Sequence, residues 1–211
     1  MRRPRTAAKP RGRRTRLDRA AVMHAAADLA DERGTVDNLQ LVELAERLSV
    51  RTPSLYAHVE SLEDVRRGIA LIALADMREI LSHAASGHSG ADALLAMARA
   101  IRSYAREHPG RYSAGAAPPR DKDWHEVQRT VRAVFVTVLA RHGLSDDDAT
   151  EFIRALRAAI HGFVTLELQG DFGGPDRAAS FDRIMRILLK GLLDEFPGLA
   201  AERRRLRAAS T

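Results

Sequence analysis

The chain of 211 residues has no cysteine, which excludes disulfides, thiolate nucleophiles and thiolate metal ligands. That composition fits a cytoplasmic protein. Aromatic residues make up only 5% of the chain, and no segment shows the period-two alternation of a half-buried strand. Long apolar runs are also missing. The longest, Ile69 to Ala75 and Ala133 to Ala140, fall well short of the roughly 18 residues a membrane-spanning helix needs. No repeat of 20 to 50 residues and no glycine-rich phosphate loop is visible. Metal and catalytic signatures are lacking as well. His125-Glu126 opens like a zinc-protease motif, but position 129 is arginine, and the other histidines are scattered rather than spaced as ligands. The expectation is therefore a protein with no metal, no cofactor and no catalytic centre.

Acidic residues are absent from positions 1–16, where Arg2, Arg3, Arg5, Lys9, Arg11, Arg13, Arg14 and Arg16 concentrate much of the net charge of +6. Pro4, Pro10 and Gly12 oppose helix there, and no apolar stretch follows of the kind a secretory signal requires. The segment reads as a disordered basic arm. Arg203, Arg204, Arg205 and Arg207 make a smaller basic tail over 198–211, which reads as a solvated, frayed end.

Between these ends, hydrophobic residues, 45% of the chain, recur at helical spacing. The pattern predicts helices near 17–33 (stopped by Gly34), 41–48, 52–58, 61–85, 91–107, 121–142, 145–169 and 176–195. Residues 109–120, rich in Pro, Gly and Ala, read as a loop with at most a short helical turn. Thr52 is the expected cap of the third helix, with Pro53 at its first position. Ser145, followed by Asp146, Asp147 and Asp148, caps the seventh in this order. The fold class is all-α. Residues 17–61 form a three-helix unit with a helix-turn-helix at about 40–59, and a long helix joins it to a C-terminal bundle spanning 62–197.

Residues 44–65 carry the functional signal. Two short amphipathic helices flank a tight turn at Ser49 and Val50, and the second is too short and polar to be a core element. Leu55 and Val59 point inward, leaving Arg51, Thr52, Ser54, Tyr56 and His58 for a partner. These side chains can hydrogen-bond phosphates or base edges, and Pro53 offers an apolar contact to a thymine methyl. That is the build of a recognition unit for duplex DNA. An ordinary solvated helix in a bundle accounts for these residues equally well, and the two readings stay open on the residues alone.

Leu55-Tyr56-Ala57-His58-Val59 resembles the Leu-Tyr-x-His-Phe/Val at the end of the recognition helix in the TetR family of transcriptional regulators. A second stretch, His161-Gly162-Phe163, Leu166-Glu167 and Gly170-Asp171-Phe172-Gly173, is similar to one subgroup of the family's C-terminal domains. Three departures stand out. Ser49 occupies a turn position that is usually glycine, Leu62 a position commonly held by a phosphate-gripping lysine, and Gln40 a cap usually filled by Ser or Thr. The resemblance implies that Tyr56 and His58 bind phosphate. The missing lysine turns attention to the arm, whose Arg13, Arg14 and Arg16 lie nearest the first helix and either follow the backbone, enter the minor groove, or merely solubilise the chain.

A single short recognition helix reads too few bases to act alone, so a homodimer on a palindromic operator is expected. The last two predicted helices supply Phe152, Leu156, Ile160, Phe163, Ile184, Leu188 and Leu192 as candidate interface residues, one face serving the core and the other a partner copy. The resemblance further implies a small-molecule effector. Its candidate pocket comprises Met97, Ile101, Tyr104, Trp124, Phe135, His161 and Gln169, apolar walls with a few polar groups, each also compatible with plain core. His161-Gly162 fits a close helix–helix approach as readily as a ligand contact. The function this implies is a DNA-binding regulator, by family default a repressor released by its ligand, with the fourth helix as the lever between pocket and reading head. A helical adaptor using the basic arm to bind anionic membrane or RNA is the competing class.

Overall fold

The computed structural model describes residues 17–116, 121–140, 144–173 and 177–195. The arm, the tail, and with them Arg13, Arg14 and Arg16, lie outside the described residues. Among those residues there are nine α-helices and no strand. They are α1 (Arg19–Arg33), α2 (Leu41–Arg47), α3 (Thr52–Leu55), α4 (Leu62–Ala85), α5 (Gly90–Glu107), α6 (Pro109–Ala116), α7 (Lys122–Ala140), α8 (Asp146–Gln169) and α9 (Arg177–Glu195).

Local chemistry explains most of the boundaries. The Asp18 carboxylate accepts the amide of Ala21 at the start of α1, and Gly34 closes that helix at φ 74°, a conformation costly for residues with a Cβ. Ser61 and Ser145 cap α4 and α8 by accepting the amides of Asp64 and Asp148. Gln40 makes no side-chain cap at α2. The turn between α2 and α3 places Ser49 at φ 55°, the one non-glycine positive φ among the described residues. Ser49 therefore bears a left-handed strain that costs L-residues about 1–2 kcal/mol. Ser49→Gly should raise the urea midpoint by the equivalent of up to about 1 kcal/mol, part of the relief being offset by glycine's entropy in the unfolded chain. An unchanged midpoint would mean that the serine side chain compensates the strain.

Two expectations are corrected at this level. The third helix ends at Leu55 rather than near 58, because Tyr56 to His58 continue as turns; Arg51, not Thr52, is its cap residue, with Pro53 in the first turn. Residues 109–116, expected to be a loop, form the helix α6. Pro109 suits a first helical position, and the rest of the segment is held by tertiary contacts that composition does not record.

The core falls into two clusters. One gathers α1, α2, α3 and the first half of α4 around Val22, Leu44, Leu55, Val65 and Ile69, with Ala114 of α6 included. The other joins the end of α4 at Leu81 to α5, α7, α8 and α9 through Leu94, Phe152, Leu156, Phe181 and Met185. Helix α4 is thus the spine common to both, and the change from one cluster to the other falls within it, between Ala70 and Leu81. In the second cluster Arg102 of α5 is bidentate to Glu167 of α8 at 2.8 and 2.6 Å, both side chains being nearly buried, and its guanidinium lies 5.5 Å from the Phe181 ring.

Candidate nucleic-acid interface and internal cavity

The reading head is built on buried anchors. Leu44 and Ala45 of α2, Leu55 of α3 and Val59 just beyond it are all buried. Val50 packs against the same cluster and closes the turn. With these residues inward, Arg51, Pro53, Ser54 and Tyr56 are exposed and Thr52 and His58 half-buried. Tyr56 is 57% exposed, unusual for so large a ring. Among the described residues the side chains of Arg51, Thr52, Ser54 and Tyr56 have no hydrogen-bond or ion-pair partner. The end of the reading segment is fixed from behind. Arg19 of α1 donates to the His58 carbonyl at 3.0 Å and grips Asp64 of α4 through two bonds at 2.7 and 2.5 Å. The Arg19 guanidinium holds the Asp64 carboxyl below the usual carboxylate range, so this clamp persists down to acidic pH. Leu62, in place of the expected lysine, packs half-buried against the N-terminal cluster and offers no charge to a phosphate.

A cavity of about 380 Å³ opens in the C-terminal half, walled by α4, α5, α6, α7 and α8. Five of the seven expected pocket residues line it: Ile101, Tyr104, Trp124, Phe135 and His161. Met97 and Gln169 do not. Met97 is fully buried in the second cluster, and Gln169, the last residue of α8, is exposed. What sequence reading missed is the contribution of α6, which brings Tyr112, Gly115 and Ala116 to the wall, and the basic face of α8. Tyr112 Oη lies 3.1 Å from His161 Nδ1. Burial pushes the Tyr112 phenol up to about 12 against the opposing charge of Arg157. Burial first, then Arg157, holds the His161 imidazole below its ordinary value, so near neutral pH it is an uncharged hydrogen-bonding group. Tyr104 donates to Asp76 of α4 at 2.9 Å, and burial and that carboxylate push its phenol upward.

Helix α6 also faces the reading head. Gly110 is so close to α1 that a Cβ there would overlap the Ala30 carbonyl group and the Asp31 nitrogen. The Ser113 hydroxyl accepts the Val36 amide at 3.0 Å. The Arg111 amide donates to Asp31 at 2.9 Å and its guanidinium to Asp28 at 2.5 Å, while His108 Nδ1 lies 2.9 Å from Asp31. One short helix therefore touches the cavity on one side and α1 on the other.

The expected interface residues divide. Phe152, Leu156, Ile160 and Phe163 are buried within the chain's own core, and Leu188 and Leu192 are half-buried against it; of the seven only Ile184 is exposed. The correction is one of helix face. Leu166, Leu168, Ile184 and Ile187 are the large apolar residues that α8 and α9 leave open. Gly162 has nothing within 4 Å of a built Cβ, so no close helix approach occurs there among the described residues. Residues of the second sequence motif also hold the core together: the Phe163 ring lies tilted against Phe172 at 4.7 Å and meets Phe181 edge-on at 5.1 Å, and Glu167 is the buried partner of Arg102.

A helix-turn-helix with unpartnered polar side chains, carried on an all-α body with an internal cavity, defines the class of helix-turn-helix DNA-binding regulators. Residues 94–188 match the model of the tetracyclin repressor-like C-terminal domain. The chain is 37% identical over 185 residues to the HTH-type transcriptional regulator Rv0681 of Mycobacterium tuberculosis, covering 86% of this chain and 84% of that protein. It is 30% identical over 179 residues to the HTH-type regulator YobS of Bacillus subtilis, covering 84% and 93%. Its fold is similar to that of a TetR variant from Acinetobacter baumannii in complex with minocycline, with TM-score 0.66 and 22% identity, over 83% of this chain and 96% of that one. The chain belongs to the TetR family of DNA-binding transcriptional regulators.

Proposed function

We propose that the protein is a homodimeric repressor that binds a palindromic operator and is released from it by a small molecule entering the cavity, acting in the cytoplasm. The observation that carries this reading is the placement of α4. Its first half, through Val65 and Ile69, supports the reading head, and its second half, through Ala73, Leu74, Met77 and Leu81, is a wall of the cavity. A ligand shifts the equilibrium only by preferring one arrangement; displacing α4 or α6 to admit it would change the spacing of two reading heads. The TetR variant of similar fold is in complex with the small molecule minocycline, which supports reading a small-molecule effector onto this chain. In this reading Arg51, Thr52, Pro53 and Ser54 meet the bases, Tyr56 and His58 position the helix on phosphates, and Arg13, Arg14 and Arg16 add backbone charge contacts.

Selection of bound fragments from a random duplex pool tests the reading: a palindrome with half-sites about one helical turn apart is expected, and an asymmetric or absent consensus would refute it. On the selected operator, Arg51→Ala should weaken binding by about 1–3 kcal/mol and relax preference at one base pair per half-site. A uniform loss across all operator variants in a binding titration would instead assign Arg51 to a phosphate.

A further inference from the structure

The cavity's lining is chemically lopsided. Its floor and sides, from α4, α5 and α7, are apolar, with Met77, Ile101, Val131 and Phe135 among them. Its charged lining groups are all basic: Arg132 of α7 and Arg154 and Arg157 of α8, with no aspartate or glutamate. Thr150, Arg154, Arg157 and His161 fall at helical spacing and so share one face of α8. The three guanidinium groups are not equally committed. Arg154, at the mouth, is paired along the surface with Glu151. Arg132 donates to the Thr150 hydroxyl at 2.7 Å, a neutral partner. Arg157 has no ion-pair or hydrogen-bond partner among the described residues, and its charge is felt by Tyr112 and His161 across the polar end of the cavity.

We infer that the effector is a lipophilic anion, an apolar chain or ring carrying a carboxylate, with its body among α4, α5 and α7 and its charge on Arg157 and Arg132 at the α8 wall. The inference rests on the cavity being the effector site. A cation placed there would meet guanidinium groups with no carboxylate in the lining to offset their repulsion. A neutral lipophile would gain the apolar walls alone. A carboxylate adds charge-assisted hydrogen bonds, for which guanidinium has the matching geometry. A volume of about 380 Å³ is enough for a small ligand of this kind.

Trp124 is the only tryptophan of the chain and lines the cavity, so its emission reports occupancy directly. The probes are decanoate, 1-decanol and decyltrimethylammonium, of equal chain length, titrated below their micellar concentrations into the full-length protein. Decanoate should perturb Trp124 emission saturably and bind at least about tenfold more tightly than decanol, as expected of a charge-assisted contact, and the cation should bind more weakly than either. Arg157→Gln, an exposed position, should bring decanoate down to the affinity of decanol and leave decanol unchanged, while Arg183→Gln on α9 should alter neither. Equal binding of decanoate and decanol, preference for the cation, retention of the decanoate advantage in Arg157→Gln, or no response to any probe would each overturn the inference. Operator release, followed by anisotropy of a labelled duplex, separates this from the parent reading. Binding of decanoate without release would support the ligand class and refute ligand-gated repression.

Discussion

Ile187→Glu should leave the protein folded but monomeric, and lower its affinity for the selected operator by about 100-fold or more. Ile187 is 67% exposed and Ile184 44%, far from the usual state of isoleucine, and Leu166 and Leu168 of α8 are exposed as well. Ile184, Ile187 and Gly191 follow one another at three- and four-residue spacing on α9, as Ala158, Gly162 and Leu166 do at four on α8. Neither Gly162 nor Gly191 has a neighbour near a built Cβ among the described residues, leaving room for another backbone to approach. The two helices meet each other through Phe163 and Phe181, so their open faces can form half of a four-helix interface. In a two-fold contact each substitution is present twice, and burying two carboxylates without partners costs several kcal/mol. Loss of the dimer then removes one of two half-site contacts. Light scattering at micromolar concentration checks the first part and operator titration the second. A dimer that survives Ile187→Glu would place the interface elsewhere.

Gly110→Val carries the second large expectation, a loss of about 3 kcal/mol or more in urea denaturation. Overpacking typically costs about 1–3 kcal/mol when side chains can shift. Here the obstruction is the α1 backbone at Ala30 and Asp31, which cannot move without disturbing Val22, Ala26 and the rest of the N-terminal cluster. The same displacement would draw Arg111 from Asp28 and Asp31, and Ser113 from the Val36 amide. For comparison, Ser113→Ala leaves the half-buried Val36 amide without its acceptor and should cost only about 1–2 kcal/mol. If Gly110→Val proves as mild as Ser113→Ala, α6 and α1 are not rigidly joined, and α4 alone must connect the cavity to the reading head.

Residues that determine structure through their own backbone neighbours were legible in the sequence. Gly34 and Ser145 bound their helices where expected, Ser61 caps α4, and Ser49 adopts the left-handed conformation that its turn demands. The alternation of Leu44, Ala45, Leu55 and Val59 with Arg51, Ser54 and Tyr56 told which side of the reading helix faces inward, because period 3.6 maps position directly onto face. Five of the residues that line the cavity could be named for the same reason: an apolar stripe with an interposed polar group is visible in one dimension.

Local pattern thus suffices for the all-α class, for every helix but α6 and for the inward face of the helix-turn-helix. The tertiary structure decided which buried surface is which. An apolar stripe states that a helix face must leave water, but hydrophobic burial is non-directional, so Phe152, Leu156, Ile160 and Phe163 could not be told from interface residues until the chain's own core was seen to cover them. Likewise Pro109 to Ala116 has weak intrinsic helix preference and becomes α6 through long-range partners on α1 and α4. Glu167, read as part of a family motif, is fixed by Arg102, 65 positions away. Such contacts depend on separations in space that spacing along the chain does not encode.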